Sequence, residues 1–175
     1  TMVFPAFAED TENVAEINGV GYTSLAEAVE AAEDGDTVKV LSNVTISDEV
    51  VINNNITLDL NGHTVTSNYA IQETPKGASI PLNYAFVFVN GGTITDSAEE
   101  KGALIATAAR AINVKDDRFY VKDVTVKCTS NIPSGNAVIG TNNSLTMTNS
   151  TIIGEFAGSY TVSSFGAAAE DSIIE

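Results

Sequence analysis

The sequence predicts an all-β protein, a parallel β-helix: a solenoid of short coils closed at its N-terminal end by a capping α-helix. Three observations predict it. First, residues 55–66 read N-I-T-L-D-L-N-G-H-T-V-T. Leu58 and Leu60 alternate there with Thr57 and Asp59, the two-residue period of a strand with one buried face. Asn61-Gly62 then turns the chain, since both residues tolerate positive φ, and Thr64-Val65-Thr66 restarts an extended run. Second, a phrase of one apolar residue, three further residues, a threonine and an apolar residue recurs along the chain. It ends in Thr45-Ile46, Thr64-Val65, Thr93-Ile94, Thr125-Val126 and Thr151-Ile152, with successive threonines 19, 29, 32 and 26 residues apart. Spacings in that range mark repeat architectures. Third, no helical pattern longer than a turn follows residue 37, while β-rich runs at 50–52, 85–89, 104–106, 112–114, 137–139 and 160–162 fill the intervals. A propeller needs a longer and more even period, and a sandwich would not set one phrase after one turn each time.

Stacked coils lie about 4.8 Å apart, the ordinary strand spacing. The phrase therefore predicts columns: the five threonines above one another, Ile46, Val65, Ile94, Val126 and Ile152 as an inward aliphatic stack, and Asn43, Asn61, Asn90 and Asn149 as an amide ladder. Uneven spacing places the insertions on one side. One coil cannot bury its apolar face alone, so about three must stack.

In chain order, residues 1–8 (T-M-V-F-P-A-F-A) carry small residues at Ala6 and Ala8 before Glu9-Asp10, the pattern of a secretory signal-peptide tail or a flexible apolar terminus. Residues 9–37 form the cap: a short strand within 14–21, then a helix. Ser24 can cap that helix with Glu27 closing a capping box, and Leu25, Ala28, Val29 and Ala32 form its apolar stripe. Gly35 stands where a left-handed C-terminal residue is expected. A helix is needed because the first coil of an open solenoid exposes core and unpaired backbone. Residues 38–175 are the coils, expected to continue beyond Glu175 because no closing element is legible there.

The segment Ile17-x-Gly19-x-x-Tyr22-x-Ser24-Leu25-x-Glu27-Ala28-Val29-x-x-Ala32-x-x-Gly35-Asp36-Thr37-Val38, followed by Val44-Thr45-Ile46 and Thr57 to Val65, resembles the N-terminal capping region of the right-handed parallel β-helix, pectate-lyase-like superfamily. It is similar in particular to adhesin-like secreted or cell-surface proteins of gut bacteria. The resemblance covers residues 14–66 and implies architecture; the superfamily's lyase and glycosidase motifs are not recognisable here.

With 23 acidic and 8 basic residues the net charge is −15, which argues against nucleic acid and anionic membrane surfaces as partners. Five of the eight basic residues, Arg110, Lys115, Arg118, Lys122 and Lys127, fall within one 18-residue span. The one cysteine, Cys128, excludes an internal disulfide and reads as a small buried residue. No run approaches the roughly 18 apolar residues of a membrane span. The 67–82 stretch, with Pro75, Gly77 and Pro81, reads as a loop leaving the coil and a site for binding; 97–102 reads as a solvated turn, and 130–136 as a further excursion.

Catalytic candidates are Asp116, Asp117, Arg118 and Asp123: carboxylates able to hold Ca²⁺ against an acidic sugar, with Arg118 or Lys122 taking a proton. The competing reading is an ordinary polar turn. Asp59 and Asp96 are candidates for a hydrolytic pair, which needs a separation of about 5 to 9.5 Å, or else for satisfying backbone donors. Tyr69, Tyr84, Phe156 and Tyr160 could form a sugar-stacking platform, with Lys115 and Lys122 as polar contacts. His63 has no partner at metal-ligand spacing, so no metal centre is expected. The Asn-x-Ser/Thr sequons at Asn43, Asn55, Asn142 and Asn149 arise readily in so Asn- and Thr-rich a chain. The reading is a secreted or cell-surface module that binds glycan or a surface protein without catalysis. A polysaccharide lyase or glycoside hydrolase is the first rival; a self-assembling subunit stacking through its C-terminal coil near Val162 is the second.

Overall fold

A computed structural model describes residues 12–69, 84–129, 138–155, 161–164 and 166–175. The expectations placed on residues 1–8, on most of the 67–82 and 130–136 loops, and on Phe156 and Tyr160 lie outside the described residues. The protein is all-β with a single short helix among the described residues.

The chain opens with a hairpin, β1 (Ala15–Ile17) and β2 (Val20–Tyr22), turned by Asn18 and Gly19 at φ 51° and 81°. Asn-Gly with both φ positive gives a turn whose twist matches the paired strands. Helix α1 (Leu25–Ala31) follows, and Ser24 caps it by accepting from Glu27 N at 3.1 Å. The Glu27 carboxylate accepts instead from Thr23 Oγ1 at 3.2 Å. Leu25, Ala28, Val29 and Ala32 are buried as the stripe requires. Gly35 is left-handed at φ 88°, but it lies past the helix, which ends on an extended Ala32; Gly35 N donates to Asn55 O at 2.8 Å. The glycine serves the turn into the next strand.

From there the chain runs in repeated circuits between two sheets. β3 (Thr37–Val40), β4 (Val44–Ile46) and β5 (Val50–Ile52) make the first. The second is β6 (Thr57–Asp59), β7 (Val65–Ser67) and the first half of β8 (Tyr84–Thr95). The second half of β8, β9 (Ala103–Ala106) and the first half of β10 (Arg110–Lys122) make the third; the rest of β10, β11 (Thr125–Cys128) and β12 (Ile139–Thr141) make the fourth. β13 (Ser144–Thr148), β14 (Thr151–Gly154) and β15 (Val162–Ser163) are the fifth, and β16 (Gly166–Glu170) and β17 (Ile173–Ile174) begin a sixth. Each strand pairs in parallel with its counterpart one circuit away, giving a sheet of 6 strands in the order β17-β14-β11-β9-β7-β4 and one of 11 strands. β1 joins the larger sheet antiparallel to β3, and α1 packs against β5.

Register builds the core as four apolar columns. Val65, Leu104, Val126 and Ile152 align in the smaller sheet, and Leu58, Ile94, Val121 and Met147 in the larger. Phe86 stands between Val50 and Ile112, and Phe88 between Ile52 and Val114. All of these are buried in one cluster, with the rings of Phe88 and Phe119 4.7 Å apart. Strands buried on both faces, such as residues 84–88, read as continuous apolar runs rather than alternating ones.

The five-threonine column is not formed as expected. Thr125 and Thr151 face each other in the smaller sheet, but Thr45 pairs with Thr66, and Thr64 precedes β7. Thr93 belongs to the larger sheet, beside Thr57. Likewise Ile94 leaves the predicted aliphatic stack, and Ile46 aligns with Ser67 while Val44 takes its place beside Val65. The reason is that Asn61-Gly62 and Asn90-Gly91 turn the chain at different corners. The first leads into the smaller sheet; the second bends β8 within the larger one. The amide ladder divides in the same way. Asn61 Nδ2 reaches Val40 O at 3.0 Å and Asn149 Nδ2 reaches Asp123 Oδ1 at 2.8 Å, while Asn90 Nδ2 reaches Asn53 O at 2.7 Å at the other corner. Asn43 accepts from Thr64 N at 2.8 Å.

Candidate binding surface

Alternation along β10 sends Phe119 and Val121 into the core and Tyr120 and Lys122 outward. Register then sets Thr93 and Thr146 on either side of Tyr120, and Thr95 and Thr148 on either side of Lys122. Thr57 extends the first row beyond Thr93, and Glu170 ends the second beyond Thr148. The result is a flat face of hydroxyls at about 4.8 Å across strands and about 7 Å along them. One aromatic ring, 41 % exposed, stands in it beside one ammonium. Such a face can stack a ring and hydrogen-bond a row of hydroxyls.

At the upstream end of this stretch β10 carries a bulge between Asp116 and Phe119, opposite Asn90. Asp117 is left-handed at φ 62°, and its carboxylate accepts from Arg118 N at 2.7 Å. Lys115, Asp116, Asp117 and Arg118 are all exposed there. Gly91 is required beneath them, because a Cβ at that position would lie 2.4 Å from Arg118 O. Asp123 sits at the opposite end of the strand, about 20 Å away by strand rise, and is bound to Asn149. The candidates Asp116, Asp117 and Arg118 thus share one bulge, and Asp123 does not join them. Lys122 lies between. No group of three or more His, Cys, Asp or Glu able to hold a metal ion occurs among the described residues.

Asp59 and Asp96 do come together, but as staples between two circuits. Asp59 Oδ1 accepts from Asn61 N and Ser97 N, both at 2.9 Å, and Oδ2 accepts from Ser97 Oγ at 2.6 Å. Asp96, fully buried, accepts from Gly62 N at 2.8 Å, Ala98 N at 3.1 Å and Gly102 N at 2.7 Å. Lys101 Nζ donates to Asp96 O at 2.5 Å, so the 97–102 turn is bound to this network. Carboxylates engaged with this many backbone donors hold a turn in place.

Of the aromatic candidates, Tyr84 is not available to a ligand from solvent. It is 7 % exposed, with the Arg110 guanidinium 5.1 Å from its ring centre. Tyr69 is half-buried after β7, its N donating to Ser67 Oγ at 3.3 Å. Tyr160 lies outside the described residues. Tyr120 is the residue that sequence reading missed, and the signal for it was phase: between two inward residues, an aromatic must face out. Arg110, grouped by sequence with the polar cluster, is fully buried on the side of Ile112 and Val114. Its Nε, Nη1 and Nη2 have no hydrogen-bond partner among the described residues. A cation–π contact contributes about 0.5–2 kcal/mol, whereas burying an unpaired charge costs several.

His63 N donates to Leu60 O at 2.8 Å within its turn. Cys128 is fully buried, its thiol donating to Ala109 O at 3.2 Å. Val162 is half-buried in β15 against Ile139. Lys127 pairs with Glu155 at 2.6 Å on the smaller sheet. No helix among the described residues is long and apolar enough to cross a membrane. Compared with family models, curated proteins and solved structures, the chain finds no match in any of the three.

Proposed function

We propose that the circuits wind a right-handed parallel β-helix and that this chain is a secreted or cell-surface module binding glycan through the outer face of its larger sheet. The observation that carries the reading is the in-register row Thr57, Thr93, Tyr120 and Thr146 beside Thr95, Lys122 and Thr148. A repeated hydroxyl lattice around one exposed ring suits a polymer whose own hydroxyls repeat, and Tyr offers an apolar face for a sugar ring. The exposed charges of that strand nearly balance, Lys115, Arg118 and Lys122 against Asp116 and Asp117, so the face suits neutral as well as acidic glycans.

The test is binding of the full chain to immobilised neutral and acidic polysaccharides by biolayer interferometry. Tyr120→Ala is expected to weaken binding about tenfold, equivalent to roughly 1.4 kcal/mol. Lys127→Ala, on the smaller sheet, is expected to leave it unchanged. Equal affinity of wild type and Tyr120→Ala would remove this face from the reading. Release of new sugar ends in the same samples, abolished by alanine at Asp116, Asp117 and Arg118, would make the protein a depolymerase instead.

A further inference from the structure

We propose that the corner formed by Arg110 and Tyr84 is an interior binding site for one small carboxylate anion, held by the Arg110 guanidinium. A guanidinium keeps its charge in proteins and brings five N–H donors. In this protein all three nitrogens are buried without a hydrogen-bond partner among the described residues. The Tyr84 ring lies 5.1 Å away and covers one face of the group. Ring contact uses the guanidinium's face, whereas its donors point outward in its plane, so the contact satisfies none of them. What they lack among the described residues is an in-plane acceptor. A carboxylate matches two parallel donors with two oxygens, and a single negative charge balances a single guanidinium. A dianion would leave excess negative charge in the interior of a chain already at −15. This corner lies on the inward side of β10 and is independent of the Tyr120 face.

Formate, the smallest carboxylate, is the probe. Thermal unfolding of the full chain is compared in sodium formate, sodium chloride and sodium sulfate at equal ionic strength, for wild type and Arg110→Met. Formate is expected to raise the wild-type Tm by about 3 °C or more over sulfate. Arg110→Met is expected to show no such rise, and to match or exceed the wild-type Tm in sulfate. An equal response of both proteins, or none in wild type, overturns the site; an equal response to chloride overturns its carboxylate character. Should Arg110→Met not fold, saturation transfer from ¹³C-formate on wild type and Arg110→Lys decides. The fork of donors predicts binding to wild type and its loss with lysine, and equal binding to both overturns the assignment.

Discussion

At Asp96 one fully buried carboxylate accepts from three backbone N–H groups that belong to two different turns. Replacing it by alanine removes the acceptor of Gly62, Ala98 and Gly102, three half-buried donors that each lose about 1 kcal/mol or more. Asp96→Ala is expected to lower the urea unfolding free energy by about 3 kcal/mol or more with an unchanged m-value. Gly91 gives a second residue-scale expectation. Its φ of 68° lies in the left-handed region, and a Cβ would meet Arg118 O. Gly91→Ala is expected to destabilise by about 2 kcal/mol or more in the same titration. Sequence reading weighed Asp59 and Asp96 between catalysis and donor satisfaction; what separated the two was the turn geometry around them. Side-chain type reports that a carboxylate is present, and only the neighbouring backbone reports how many donors it meets.

Among the elements, the helix is the most legible, because a helix end is specified within four residues. Ser24 and the apolar stripe Leu25, Ala28, Val29 and Ala32 appear as the periodicity required. Ser24→Ala is expected to cost about 1 kcal/mol, read as a lower urea midpoint. The strands were legible as strands but not by corner. Asn61-Gly62 and Asn90-Gly91 announce a turn equally well, since both supply positive φ. Whether the chain then enters the other sheet or bends within its own depends on which side chains fill the next column. Residues 92–95 present Ile94 to Leu58, and residues 65–67 present Val65 to Leu104. That is a long-range property, invisible to a local phrase. Tyr120 is hidden for a related reason: the exposure of an aromatic residue follows the phase of its strand and not its type.

Across the whole molecule, parallel pairing one circuit at a time makes the core a set of columns shared by both sheets. The widest side chains, Phe86, Phe88 and Phe119, sit mid-chain, with Ile112 and Ile52 aligned beside the first two. Phe86→Ala opens a cavity that both neighbouring circuits line, and is expected to destabilise by about 3–5 kcal/mol. Because each circuit touches chiefly its neighbours, stability resembles a sum of circuits and interfaces. Hydrogen exchange on Phe86→Ala is therefore expected to rise most in β5, β8 and β10 and least in β1 and β2.

The bonding of the Asn61-Gly62 turn bears on chemical ageing. An asparagine followed by glycine is prone to lose its amide when the next backbone nitrogen attacks the side-chain carbonyl and closes a succinimide. Here Gly62 N is committed to Asp96 and the Asn61 amide to Val40 O, so neither reactant is free to approach the other. Peptide mapping of folded protein after prolonged warm storage is expected to find asparagine intact at this position. The same sample held in denaturant is expected to accumulate isoaspartate there.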